Sequence, residues 1–150
     1  MPTYLSNELA GTTDGLTTVN TVVGFKQKGT VTGGRVKRFR ASISLKGQLS
    51  GDLIQLCTLP VGTTFMLGVI TGSVSLGSST LGIGPVTAPT KYRGQSGGLT
   101  AVETPALFNA SAVAAADPST AEEIVYATIG GAALPGSGTL VIDILVSLMN

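Results

Sequence analysis

Histidine and tryptophan are absent from this chain of 150 residues, cysteine occurs once, and only 11% of positions are charged. Without imidazole, every catalytic triad or metal centre that depends on histidine is excluded, and proton transfer near neutral pH falls to a strongly shifted carboxylate, lysine or tyrosine. The single thiol, Cys57 in QLCTL, excludes an internal disulfide and has no second thiol or histidine with which to hold zinc. It reads as a small buried hydrophobe in a strand. The eight acids are scattered over separate segments, and none is spaced like a calcium loop or a glycosidase pair. The glycine-rich stretches TVTGGR and LGIGP lack both the P-loop and the dinucleotide fingerprint, so their glycines are assigned to tight turns. No catalytic residue, cofactor site or metal ligand follows from the sequence.

The scarcity of charge has a second consequence. Globular chains average about 25% charged residues, so this surface must be largely neutral, and a formal net charge of +1 gives copies little reason to stay apart. Self-association is expected. The first residues, MPTYLSNELAGTTDG, have neither the basic nor the apolar region of a secretory signal. No uncharged apolar run approaches the roughly 18 residues of a membrane span without Gly, Ser or Thr interruptions. A soluble protein made in the cytoplasm is the expectation.

What is present is a succession of short apolar segments. Residues 1–34 are rich in Thr, Gly and Asn, with a brief apolar burst at Val22–Phe25, and read as an extended N-terminal arm. From Arg35 the pattern changes. In RFRASISLK, Phe39, Ala41, Ile43 and Leu45 fall on one face, and Arg38, Arg40, Ser42, Ser44 and Lys46 on the other, the period of a half-buried strand. GQLSGD is a turn, DLIQLCTL a second strand, and TFMLGVITGSVSL and STLGIGPV supply two or three more, with Gly68, Gly72, Gly82 and Gly84 marking bends, bulges or close packing. APTKYRGQSGG reads as a loop, and TPALFNASAVAAA as a short helix with Thr104 as N-cap and Pro105 at the first helical position. EEIVYATIGGAAL and GTLVIDILVSL are two apolar strands expected to form a hairpin around Pro135–Gly138. Glu122 and Glu123 read as a solvated strand start. Asp143 falls opposite the Ile142 and Ile144 side of its strand, where it can meet water or a neighbouring subunit.

Seven or eight short strands with turn signals every 8 to 12 residues predict an all-β protein, an antiparallel β-sandwich or jelly roll with an extended N-terminal arm and at most one short helix. The domain division is 1–34 for the arm and 35–150 for the sandwich.

Positive charge is distributed unevenly. Seven of the nine basic residues, Lys26, Lys28, Arg35, Lys37, Arg38, Arg40 and Lys46, lie within positions 26–46, with no acid among them. Three accounts compete: an edge strand guarded against sheet-to-sheet pairing, phosphate contacts to nucleic acid, and docking of the arm on an acidic protein surface. Nucleic acid is disfavoured because only Phe25 and Phe39 stand nearby as stacking platforms. The acidic-surface account assigns Lys26, Lys28, Arg35, Lys37, Arg38 and Arg40 to partner binding.

The run ASISLKGQLSGDLIQLCTLPVGTTFMLGVITGSVSLGSSTLGIG, the TKY after it, and the closing EEIVYATIGGAALPGSGTLVIDILVSL resemble the capsid decoration, or cement, proteins of tailed bacteriophages over Ala41–Asn150. The resemblance implies a β-sandwich that commonly assembles as homotrimers, sits on the outer shell between capsomers and stabilises the head, with a major capsid protein or other virion protein as partner. It carries over no binding residue. Another phage structural part, such as a head-fibre base, neck or tail protein, would keep the sandwich and change the partner. A carbohydrate- or ligand-binding jelly roll would need more than Tyr4, Tyr92 and Tyr126 as platforms.

Overall fold

A computed structural model describes residues 35–97, 99–110 and 118–148. The alternating segments form eight strands: β1 (Arg35–Ser44), β2 (Leu53–Leu59), β3 (Thr63–Gly72), β4 (Thr80–Gly84), β5 (Arg93–Ser96), β6 (Ala106–Phe108), β7 (Glu123–Gly130) and β8 (Thr139–Leu148). Two four-stranded sheets result, ordered β1-β8-β3-β6 and β2-β7-β4-β5, with every pairing antiparallel. This is an eight-stranded jelly-roll sandwich, as the strand count and turn spacing predict.

The predicted β7–β8 hairpin does not form, because β7 lies in the second sheet and β8 in the first. Both strands bury one apolar face: Val125, Ala127 and Ile129 on β7, and Leu140, Ile142, Ile144 and Val146 on β8, all at most 1% exposed. Two such faces can point at each other across the core only from opposite sheets. The segment after β7 therefore arches over the end of the sandwich, held by Leu134 N–H donating to the Gln48 carbonyl at 2.8 Å.

Two further elements depart from the sequence reading. The expected loop APTKYRGQSGG contains β5, and the expected helix after Pro105 begins instead as β6, whose Ala106, Leu107 and Phe108 pair with Ile70, Val69 and Gly68. Residues 111–116, the last part of that predicted helix, lie outside the described residues. Tertiary pairing overrides local helix preference here, since β6 gains ladder hydrogen bonds and buries Phe108.

The core is built from both inner faces. Phe65 stacks on Tyr92 with centroids 4.8 Å apart and lies 6.0 Å from Phe108. Gly68 makes room for the last ring: a Cβ there would stand 1.9 Å from Phe108 Cζ. On the opposite side of the molecule, Gly84 plays a similar part. A Cβ on it would meet the Ala88 carbonyl oxygen at 2.1 Å, so the segment after β4 can fold back across the outer face of the second sheet only over glycine. Neighbouring Gly130 accommodates the Gln95 amide, whose oxygen lies 3.1 Å from the Thr80 hydroxyl.

Candidate interaction surface

The basic segment becomes β1, an edge strand that pairs with β8 alone. Its inward residues follow the predicted alternation: Ile43 is 8% exposed, and Phe39 and Ala41 are half-buried. The four cations do not share a face. Arg38 and Arg40 point outward with Ser42, whereas Arg35 and Lys37 have the parity of Phe39 and occupy the open end of the strand, where residues 35–38 are all exposed. Lys26 and Lys28 lie outside the described residues.

The register sets Arg40 directly opposite Asp143 on β8. The guanidinium grips the carboxylate in a bidentate pair, Nε donating to Oδ1 at 2.8 Å and Nη2 to Oδ2 at 2.7 Å, while Arg38 Nε stands 3.8 Å from Oδ1. Hydrogen bonding from Arg40 is the main reason the Asp143 carboxyl is held below the usual carboxylate range and the Arg40 guanidinium above its own. Asp143 thus lies on the outward side, as the alternation predicts. Its partner, 103 positions away, is beyond what a sequence pattern can reveal.

Around this pair the outer face of the first sheet is apolar. Leu67, Val69, Val141 and Leu145 are half-buried, and Leu107 is 75% exposed. The strand parity and register bring them together: Val69 faces Asp143 on one side and Leu107 on the other. Charge therefore gathers along the β1 margin, beside a neutral face. Neither Arg35 nor Lys37 has a carboxylate partner among the described residues.

A second polar group was not foreseen from sequence. Glu123 is not a solvated strand start: it accepts a hydrogen bond from the Tyr92 hydroxyl at 2.6 Å and an ion pair from Lys91, whose Nζ is 5.2 Å from the Tyr92 ring centroid. Burial and the adjacent Glu123 carboxylate push the Tyr92 phenol well above its ordinary pKa. Glu122 is exposed. Next to Tyr92, Arg93 is 8% exposed and donates to the carbonyls of Leu81 and Ser96, the latter at 2.9 Å, and burial lowers its pKa. These contacts close one margin of the sandwich. The one sequence signal was the TKYR run itself, three polar or charged groups around an aromatic. Cys57 is half-buried in β2, and burial pushes its thiol up to about 11. Among the described residues no group of His, Cys, Asp or Glu is placed to hold a metal ion.

No protein-family model matches the chain, and no curated protein matches it. Solved structures do. A chain of the cyanophage Pam1 capsid asymmetric unit is 17% identical with a TM-score of 0.61, the match covering 99% of each chain. A chain in the capsid of Ralstonia phage GP4 is 18% identical with a TM-score of 0.60, covering 78% of this chain and 86% of that one. A chain in the acid-stable capsid of the Helicobacter pylori bacteriophage KHP30 gives 13% identity and a TM-score of 0.51 over 75% of this chain and 87% of that one. The jelly roll built by these eight strands is therefore a fold found among the chains of phage capsid structures.

Proposed function

We propose that the protein is a non-enzymatic structural component of a phage virion that binds and stabilises the outer surface of the capsid, as decoration or cement proteins do. The observation that carries this reading is the full-length likeness to a chain of a phage capsid asymmetric unit, 99% of both chains at a TM-score of 0.61. The surface chemistry supports it: a protein with so few charges, a formal net charge of +1 and an apolar outer face suits retention by many repeated contacts on a symmetric shell. The partner in this reading is a major capsid protein or another virion protein, the protein itself acts as a homotrimer, and it is made in the host cytoplasm. Lys26, Lys28, Arg35, Lys37, Arg38 and Arg40 contribute the partner contacts, with residues 1–34 as an arm towards the shell. Membrane and nucleic acid have no place in it.

The test is to mix purified protein with phage heads that lack it and to follow co-sedimentation and the temperature at which the heads break open. Saturable binding that raises this temperature is the expected result. Binding to isolated necks, tails or head fibres in place of heads would move the protein to another part of the particle, and binding to none of them would sink the virion reading.

A further inference from the structure

The four edges of the two sheets are not treated alike. β6 has three residues, β5 has four and pairs through a register shift, and β2 is interrupted by a shift between Gln55 and Cys57. Short or bulged edges are the usual defences against strand addition. β1 has neither. It is ten residues long and runs in unbroken register against β8 from Arg35↔Leu148 to Ser44↔Thr139. Only its far end is closed, where the Gln48 amide donates to the Ser44 carbonyl at 3.1 Å. Among the described residues, the backbone from Arg35 to Ile43 has a ladder partner on one side only.

We infer that this open β1 edge is an acceptor for an extended, acidic segment of the partner protein, which adds to the first sheet as a further antiparallel or parallel strand. The inference deepens the virion reading, on which it rests for the existence of a partner. Backbone groups of the edge would supply the ladder, and side chains the selection. Arg35 and Lys37 line the first half of the strand on one face and have no carboxylate partner among the described residues, while on the other face Asp143 is already held by Arg40 with Arg38 beside it. A second β1 from another copy would bring more cations and no free carboxylate, and like charges on adjacent strands repel. A segment alternating carboxylates with β-branched residues would instead set its carboxylates beside Arg35 and Lys37, which share one face, and match the strand's pleat.

The experiment uses the full-length, isotope-labelled protein and synthetic capped peptides of about nine residues, the span of the open edge. One alternates glutamate with valine or threonine, a second has lysine in place of glutamate, and two further acidic versions are N-methylated at alternate residues of either parity. Backbone hydrogen exchange is followed at low salt. The acidic peptide should slow the outward amides of Arg35–Ile43, the lysine peptide should not, and one of the two N-methylated versions should fail. The double substitution Arg35→Ser with Lys37→Ser should weaken capture by roughly tenfold, the sum of two modest charge contacts. Equal protection by the lysine peptide, no protection by either, or full activity of both N-methylated versions would overturn the inference. Retention on heads without peptide capture would overturn it while leaving the virion reading intact. Peptide capture without retention on heads would support the edge as an acceptor and count against the virion reading alone.

Discussion

Across the outer face of the second sheet, residues 85–91 lie back over Gly84, and Gln95 reaches over Gly130. The outer face of the first sheet carries instead the Arg40–Asp143 pair among Leu67, Val69, Val141 and Leu145, with Leu107 beside them. Both faces belong to sheets of four antiparallel strands that contribute apolar side chains to the shared core. The difference is in what each strand places outward. Glycine at alternate positions of β4 lets the chain's own backbone serve as cover, whereas aliphatic side chains and one ion pair make up the other face, with no such cover among the described residues. Composition alone, rich in glycine and poor in charge, hides this division.

The largest expected effect tests the inner faces that the two sheets share. Ile144 is 1% exposed, one residue from Asp143, so Ile144→Asp places an unpaired carboxylate in the core where its neighbour's is outside. We expect loss of the folded state in a thermal melt, a cost of about 4 kcal/mol or more. A cooperative transition near the parent's would break the assignment of faces.

Gly84→Ala comes next. The added methyl meets the Ala88 carbonyl, a backbone atom that cannot rotate away, and overpacking of this kind costs about 1–3 kcal/mol. Ser42→Ala, on the outward side of β1, is the matched control and should lie within about 0.5 kcal/mol of the parent. Denaturant midpoints for the two variants would show whether cover is confined to the second sheet. Equal midpoints would erase the contrast.

A smaller effect is expected from Asp143→Asn, and its pH dependence is the informative part. The folded Asp143 carboxyl lies below its unfolded value, so the stability it contributes is present above the ordinary carboxylate pKa and is lost as pH falls through the folded one. The parent should therefore lose stability below about pH 4, and the variant should lose less over the same range. Parallel pH profiles would deny the pair any energetic role. Smallest of all is Arg35→Ser with Lys37→Ser, which should leave the melting temperature nearly unchanged because both side chains are exposed at the open end of β1. A substantial loss of stability would mean that these cations support the fold and are not spare.

Much of this architecture was legible because its signals are local. The alternation in RFRASIS and LVIDILV placed Phe39, Ile43, Ile142 and Ile144 inside and Asp143 outside. What escaped depended on distant partners. Thr104-Pro105 and the following alanines suit a helix where β6 forms, yet Phe108 is drawn into the space above Gly68 on β3. The supposed β7–β8 hairpin failed because two strands joined by a turn-rich segment look the same whether they pair or face each other across a core. Of the surface residues singled out by charge, Arg40 and Arg38 share a carboxylate on a strand more than a hundred positions later, and Glu123 is tied to Tyr92 and Lys91. A one-dimensional charge count cannot tell a spoken-for cation from a free one.

The position of β8 between β1 and β3 bears on how the chain reaches this state. It is the last of the eight strands to be synthesised, yet two strands made long before it depend on it for their ladders. Until β8 inserts, β1 has no ladder partner among the described strands and β3 has only the three-residue β6, and closing the sheet joins residues as far apart as Arg35 and Leu148. Such long-range closure is slow and exposes sticky strands meanwhile. The clustered cations of β1 would then repel the same strand of neighbouring unfinished chains until the sheet is closed.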